Sequence, residues 1–76
     1  MMYILNPGDG HDVETFRTRK DALIALETAF ASDHNFAALY EAEGGIFRRY
    51  ERGQWYPIAR DCLQNKVIDA AQKESA

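Results

Sequence analysis

The chain has 76 residues, of which 46% are hydrophobic and 28% charged, and its formal net charge is −3. This length allows one domain, and these proportions are typical of a folded domain and exclude a disordered segment. No apolar run approaches the roughly 20 residues of a transmembrane helix, and a single cysteine, Cys62, excludes an internal disulfide. The first residues, "MMYILNPGDG", lack the features of a signal peptide. We therefore expect a cytoplasmic protein that does not associate with membranes.

The N-terminal part of the chain predicts two short strands. "MYIL" reads as the first strand, and the Pro7, Gly8 and Gly10 of "NPGDG" predict a turn after it. "VETFR" alternates in a way that indicates a second short strand.

The segment 19–31 predicts the long helix of the domain. Thr18 is a good N-cap, and Asp21 three residues later resembles a capping box. At 100° per residue one arc is apolar, so we expect Leu26 and Phe30 to be buried and Ile24 to point away. The residues of this arc are Ala22, Leu23, Ala25, Leu26, Ala29 and Phe30. Arg19 and Lys20 in the first turn oppose the helix dipole, which is a weak indication of an anionic contact.

The second half predicts a meander over 36–59 followed by a helix over 61–74. Three strand-like runs, "FAALYEA", "IFRRYE" and "WYPIA", are separated by Gly44-Gly45 and Arg52-Gly53, which are hairpin signals. Asp61 could cap the last helix, whose apolar stripe is Leu63, Val67, Ala70 and Ala71. The predicted fold is a single α+β domain of residues 1–76. A three- to five-stranded antiparallel sheet packs against one long helix, and the second helix lies at the C-terminus.

Two-residue turns assign each strand residue to a face of this sheet. One face then carries mainly apolar residues and is the expected seat of the helices; its residues are Phe36, Ala38, Tyr40, Ala42, Phe47, Arg49, Tyr56 and Ile58. The other, outer face carries Leu39, Ile46, Tyr50, Trp55 and Pro57, with a Glu41–Arg48 cross-strand pair. A three-residue turn at 52–54 would exchange the faces of the last strand and leave Trp55 beside Phe47. Both registers stay open at this point.

Catalytic and metal-binding motifs are weak. "GDGHD" brings Asp9, His11 and Asp12 together, but no further ligand has a recognisable spacing, so we interpret it as a polar loop. Cys62 lies at the edge of a helical apolar stripe, and we expect a packed or partly buried thiol rather than a nucleophile paired with His11 or His34.

The remaining acidic pair is equally uninformative about catalysis. Glu41 and Glu43 lie at a hairpin, which favours solvation or salt bridges over acid–base catalysis. We therefore assign no catalytic residues, no metal and no cofactor.

The segment 46–60 is the best candidate for a partner-binding surface. It contains four arginines and one glutamate, a local charge of +3 in an acidic chain. Tyr, Trp and Arg are enriched at binding hot spots, so we assign partner binding to Arg48, Tyr50, Arg52 and Trp55.

The expected function is that of a small non-enzymatic protein-binding module. It would be a regulator or inhibitor that docks on a larger protein assembly, similar in size and style to phage or mobile-element accessory proteins. The alternative is a nucleic-acid-binding domain that uses the arginine and aromatic face of the sheet, which the negative net charge disfavours. The small size is also compatible with a homodimer.

Overall fold

The computed structural model describes residues 1–8 and 10–75. It contains a five-stranded antiparallel sheet in the order β2-β1-β3-β4-β5 and two α-helices. The strands are β1 (Met2–Asn6), β2 (Glu14–Phe16), β3 (Ala38–Glu43), β4 (Ile46–Glu51) and β5 (Gln54–Ile58). The helices are α1 (Arg19–Ala31) and α2 (Asn65–Ser75), and a single 3-10 turn, Arg60–Cys62, precedes α2. The predicted α+β fold with its antiparallel sheet is confirmed.

Helix α1 begins and ends at the residues that its sequence signals indicate. The Thr18 hydroxyl accepts a hydrogen bond of 3.2 Å from the Asp21 amide, as expected for an N-cap. At the other end Asp33 has a left-handed φ of 65°, and the His34 amide donates to the Ala29 carbonyl at 3.0 Å. This is a Schellman ending with aspartate where glycine is usual.

Both hairpins of the meander have two-residue turns. Gly44 and Gly45 have φ values of 58° and 82°, and Arg52 and Gly53 have 49° and 83°, the positive pairs of type I′ turns. Type I′ turns match the twist of the strands, and they set a register in which Tyr50 lies opposite Trp55. The two-residue register is confirmed, and the three-residue turn at 52–54 is wrong.

One helix packs on each face of the sheet. The cluster under α1 contains Ala22, Leu26 and Ala29 from the helix and Tyr3, Leu5 and Leu39 from the strands. The cluster under α2 contains Leu63, Val67 and Ala71 from the C-terminal segment and Ile4, Tyr40, Ala42 and Phe47 from the strands. The expectation that the face with Tyr40 and Phe47 is the common seat of both helices is therefore wrong. α1 packs on the face that carries Leu39, Tyr50 and Trp55.

Several burial predictions change with this arrangement. Leu26 is buried and Ile24 is exposed, as expected, but Phe30 is 47% exposed because it lies at the margin of the arc that contacts the sheet. Phe36 is 91% exposed, because β3 begins only at Ala38 and Phe36 belongs to the preceding turn. The meander thus spans 38–58 rather than 36–59.

The C-terminal helix begins later than predicted. α2 starts at Asn65 rather than near residue 61, because Arg60–Cys62 forms a 3-10 turn, and Asp61 lies within that turn instead of capping the helix. The predicted stripe is nevertheless correct. Leu63, Val67 and Ala71 are buried, and Ala70 is partly buried.

Candidate partner-binding surface

The four residues predicted to bind a partner lie on the β4–β5 hairpin, and we refer to them as the hairpin patch: Arg48, Tyr50, Arg52 and Trp55. Tyr50 and Trp55 are direct cross-strand partners, and their ring centroids are 5.0 Å apart at an interplanar angle of 57°. Arg48 is opposite Pro57 on the same face, and Arg52 is the first residue of the turn. The register therefore brings the predicted residues together at one end of the sheet.

The aromatic side chains of the hairpin patch are half-buried rather than freely exposed. The Trp55 ring also contacts Tyr3, with centroids 5.6 Å apart, and both Tyr50 and Trp55 pack against the cluster under α1. The main contacts of α1 are with β1, β2 and β3. The hairpin half of this face is therefore covered by its own aromatic side chains, which are anchored on the core and exposed on their outer side.

Charged side chains fix the patch next to these rings. Glu41 is only 3% exposed, and its carboxylate accepts hydrogen bonds from Arg48 at 3.1 Å and from Arg19 at 3.4 Å. The predicted Glu41–Arg48 pair is confirmed, and Arg19 adds a second cation to it. A buried carboxylate is stable only when it is paired in this way. Arg48 is therefore held in place while about half of its side chain faces solvent.

Arg19 is the functional neighbour that sequence reasoning did not assign. Its guanidinium carbon lies 5.4 Å from the centroid of the Trp55 ring, a cation–π distance. Interaction with Tyr3, and secondarily with Glu41, raises the pKa of Arg19 above its ordinary value, so this group stays charged. The sequence feature that pointed to Arg19 is its position in the first turn of α1, where a cation opposes the helix dipole. The anion that this position indicated is Glu41 of the same chain.

Arg52 has a different role from Arg48. It is exposed, and its side chain makes no hydrogen bond, ion pair or ring contact with the residues that the structure describes. Its φ of 49° lies in the left-handed region, where asparagine or glycine is strongly preferred in this turn type. The turn therefore does not require an arginine at this position, and the Arg52 side chain is exposed to solvent.

The opposite face of the same hairpin offers an internal comparison. Arg49 and Tyr56 are cross-strand partners there, and both are exposed. The expectation that Tyr56 lies under a helix is wrong, since its side chain is 51% exposed. α2 makes its main strand contacts with β1, so it leaves the outer strand of this face open.

The catalytic and metal candidates are placed as follows. Asp9 lies outside the described residues, while His11 and Asp12 are exposed in the loop after β1. Cys62 is a free, exposed thiol, so the expected packed or partly buried thiol is wrong. The buried position at this point of the chain belongs to Leu63. Within residues 1–8 and 10–75 no three His, Cys, Asp or Glu side chains are grouped as a metal site.

A groove of about 710 Å³ lies on the α2 face, away from the hairpin patch. Ala42, Phe47 and Ala71 line it, and Arg17 and Arg60 are also part of its wall. The first three of these residues are each at most 7% exposed, but Met1 and Met2 also line the groove and Met1 is 57% exposed, so part of its apolar lining is accessible.

Comparison with known proteins identifies no relative: no family model, curated protein or solved structure matches this chain. In the part of the chain that the structure describes, neither helix has the length and apolar character required to cross a lipid bilayer. The geometry of the surface therefore carries the functional argument.

Proposed function

We propose that this chain is a small non-enzymatic, cytoplasmic protein-binding module that acts as a regulator or inhibitor by docking its hairpin patch on a larger protein assembly. The observation that carries the proposal is the state of Arg52. It is an exposed arginine in a turn that prefers asparagine, next to two partly buried aromatic rings. Arginine, tyrosine and tryptophan are the residues that most often dominate binding energy at protein interfaces.

The patch is organised before it meets a partner. Trp55 is fixed between Tyr3 and Tyr50, and Arg48 is held by Glu41. Side chains that already occupy one conformation lose little entropy on association. This supports a docking surface in which Arg48, Tyr50 and Trp55 are preorganised and Arg52 is the exposed side chain beside them.

Charge indicates an acidic partner surface. The segment 46–60 carries +3, so the other residues of the chain together carry −6. An acidic protein is attracted to the hairpin and repelled by the remainder of the molecule, which orients the encounter. A long polyanion such as duplex nucleic acid is repelled by the same acidic remainder of the chain.

A nucleic acid is the alternative partner, and one contact argues against it. Single-stranded nucleic acids bind by stacking their bases on exposed aromatic faces. The Arg19 guanidinium lies over the Trp55 ring, where a base would have to stack. We therefore favour a protein.

The biological setting of the proposal is an analogy of size and style. Phages and mobile elements encode compact single-domain accessory proteins, including inhibitors of host defence. A 76-residue domain with one rigid, charged hairpin fits such a role.

The test uses a matched pair of arginine variants. The partner is captured from a lysate of the native host by a photo-crosslinking group, purified, and titrated by calorimetry against the wild type, Arg52→Asn and Arg49→Asn. Both variants lose one positive charge, but only Arg52 belongs to the patch. We expect Arg52→Asn to weaken binding by about tenfold or more, as for a contact worth at least 1.4 kcal/mol. Arg49→Asn should bind as tightly as the wild type.

Two results would contradict the proposal. Equal weakening in both variants would show that only the general charge of the hairpin matters. Tight binding of an RNA or DNA oligonucleotide at physiological salt, with a steep loss of affinity as salt rises, would support the nucleic-acid alternative.

A further inference from the structure

Two histidines that are 23 positions apart in the sequence meet in the fold. His11 lies in the loop between β1 and β2, and His34 lies just after the end of α1. Their ring centroids are 4.7 Å apart, and the rings are nearly perpendicular at 87°. They are the chain's only histidines, and both line a cavity of about 250 Å³.

Backbone hydrogen bonds hold both histidines in position. The His11 amide donates to the Gly8 carbonyl at 3.3 Å, and the Lys66 ammonium donates to the His11 carbonyl at 3.1 Å. The His34 amide donates to Ala29 at 3.0 Å, and its carbonyl accepts from Ala37 at 3.1 Å. These contacts leave the ring nitrogens without a hydrogen-bond partner among the described residues.

We propose that His11 and His34 together bind a divalent transition-metal ion, with Zn²⁺ as the ion of choice and water in the remaining coordination positions. Neutral imidazole nitrogens bind Zn²⁺ at about 2.0–2.1 Å, so two such ligands in a tetrahedral site lie about 3.4 Å apart. The ring centroids are 4.7 Å apart in an edge-on contact, so binding requires the rings to rotate about their side-chain torsions until one nitrogen of each faces the ion. Because the described residues offer no group of three ligands, water completes the shell and the ion remains exchangeable.

Most of the remaining lining of the cavity is polar, with Pro7 and Phe36 as its apolar side chains, and it suits a cation. Asp33 and the amide side chains of Asn35 and Gln64 line it together with the histidines. Lys66 is the nearby positive group, but its ammonium is engaged with the carbonyls of Gly8 and His11. The ion would join the β1–β2 loop to the end of α1, two segments whose histidine rings are already in contact.

The test is a titration of the isotope-labelled protein with ZnCl₂, followed by the imidazole carbon–proton resonances. Resonances of both histidines should shift together to a common saturation point. The midpoint temperature of thermal unfolding should rise by about 6–11 °C when the free Zn²⁺ concentration is ten times the dissociation constant, because the ion binds the folded state. A chelator should reverse the rise.

Three variants decide the location of the ion. His11→Gln and His34→Gln should each remove the thermal shift, whereas Cys62→Ser, which removes the other strong zinc ligand of the chain, should retain it. Loss of the shift in Cys62→Ser would place the ion at the thiol and overturn the proposal. Its persistence in His34→Gln, or histidine resonances that do not move, would also overturn it.

Discussion

Replacing Leu26 by alanine tests how α1 lies on the sheet. Leu26 is 7% exposed and packs in the cluster that contains Tyr3, Leu5 and Leu39. The change removes three carbons, about 2.4 kcal/mol of transfer free energy at about 0.8 kcal/mol per methylene. A cavity term adds to this, so we expect a total loss of about 3–5 kcal/mol.

This loss is large for so small a domain. Stability of about 0.05–0.15 kcal/mol per residue gives about 4–11 kcal/mol for the whole chain. A loss of about 3 kcal/mol lowers the unfolding temperature by about 12–24 °C for a domain of this size. Urea unfolding followed by circular dichroism measures the free energy directly.

Ile24→Ala is the matched control on the same helix. Ile24 is 53% exposed, and alanine has the higher helix propensity, so its free energy of unfolding should stay within about 0.5 kcal/mol of the wild type. If Leu26→Ala and Ile24→Ala unfold at the same urea concentration, α1 does not contact the sheet through the face described here.

The other predictions concern the hairpin and the thiol. Trp55→Ala should lower the free energy of unfolding by about 1–3 kcal/mol in urea titrations, because its ring is half-buried, whereas Tyr56→Ala on the open face should lower it by less than about 1 kcal/mol. Arg52→Asn should raise the free energy of unfolding by roughly a few tenths of a kcal/mol, because asparagine suits the left-handed turn position. Calorimetric unfolding measures this change, and a lower free energy of unfolding would contradict the prediction. Glu41→Gln should lower the unfolding temperature, and the loss should persist in high salt because the carboxylate is buried; a loss that disappears with salt would indicate a solvent-screened pair. Cys62 should react with a chromogenic disulfide reagent in the native protein, and a thiol that reacts only in denaturant would show that it is covered.

The parts of the fold that local signals determine could be predicted from the sequence. Glycine at 44, 45 and 53 gave two-residue turns, and these turns fixed the register that pairs Tyr50 with Trp55. Thr18 and Asp21 marked the beginning of α1. Each of these signals acts over four residues or fewer, so no knowledge of tertiary packing is needed to interpret it.

The placement of the helices could not be deduced in the same way. The strand pattern shows which residues share a face, but not which face each helix covers, because that depends on connections between distant segments. The first strand nevertheless carries a signal of this arrangement. Tyr3, Ile4 and Leu5 form a continuous buried run, which is typical of a strand covered on both faces. Because α1 packs on the face that carries Trp55, this side chain is anchored beside Tyr3 and Arg19 and does not stand free on an outer face.

The outer strand β5 has a consequence for self-association. In a type I′ hairpin the pair that closes the turn, Glu51 and Gln54, is hydrogen-bonded, and the pairs then alternate along the strands. The backbone groups of Trp55 and Pro57 therefore point outward from the sheet, and proline has no amide hydrogen to offer. The opposite border, β2, has only three residues. Neither border provides a regular row of donors and acceptors for a further strand, which is how natural sheets resist polymerisation. A homodimer of this chain would have to form through side chains, and the concentrated protein should not seed fibrils from its native state.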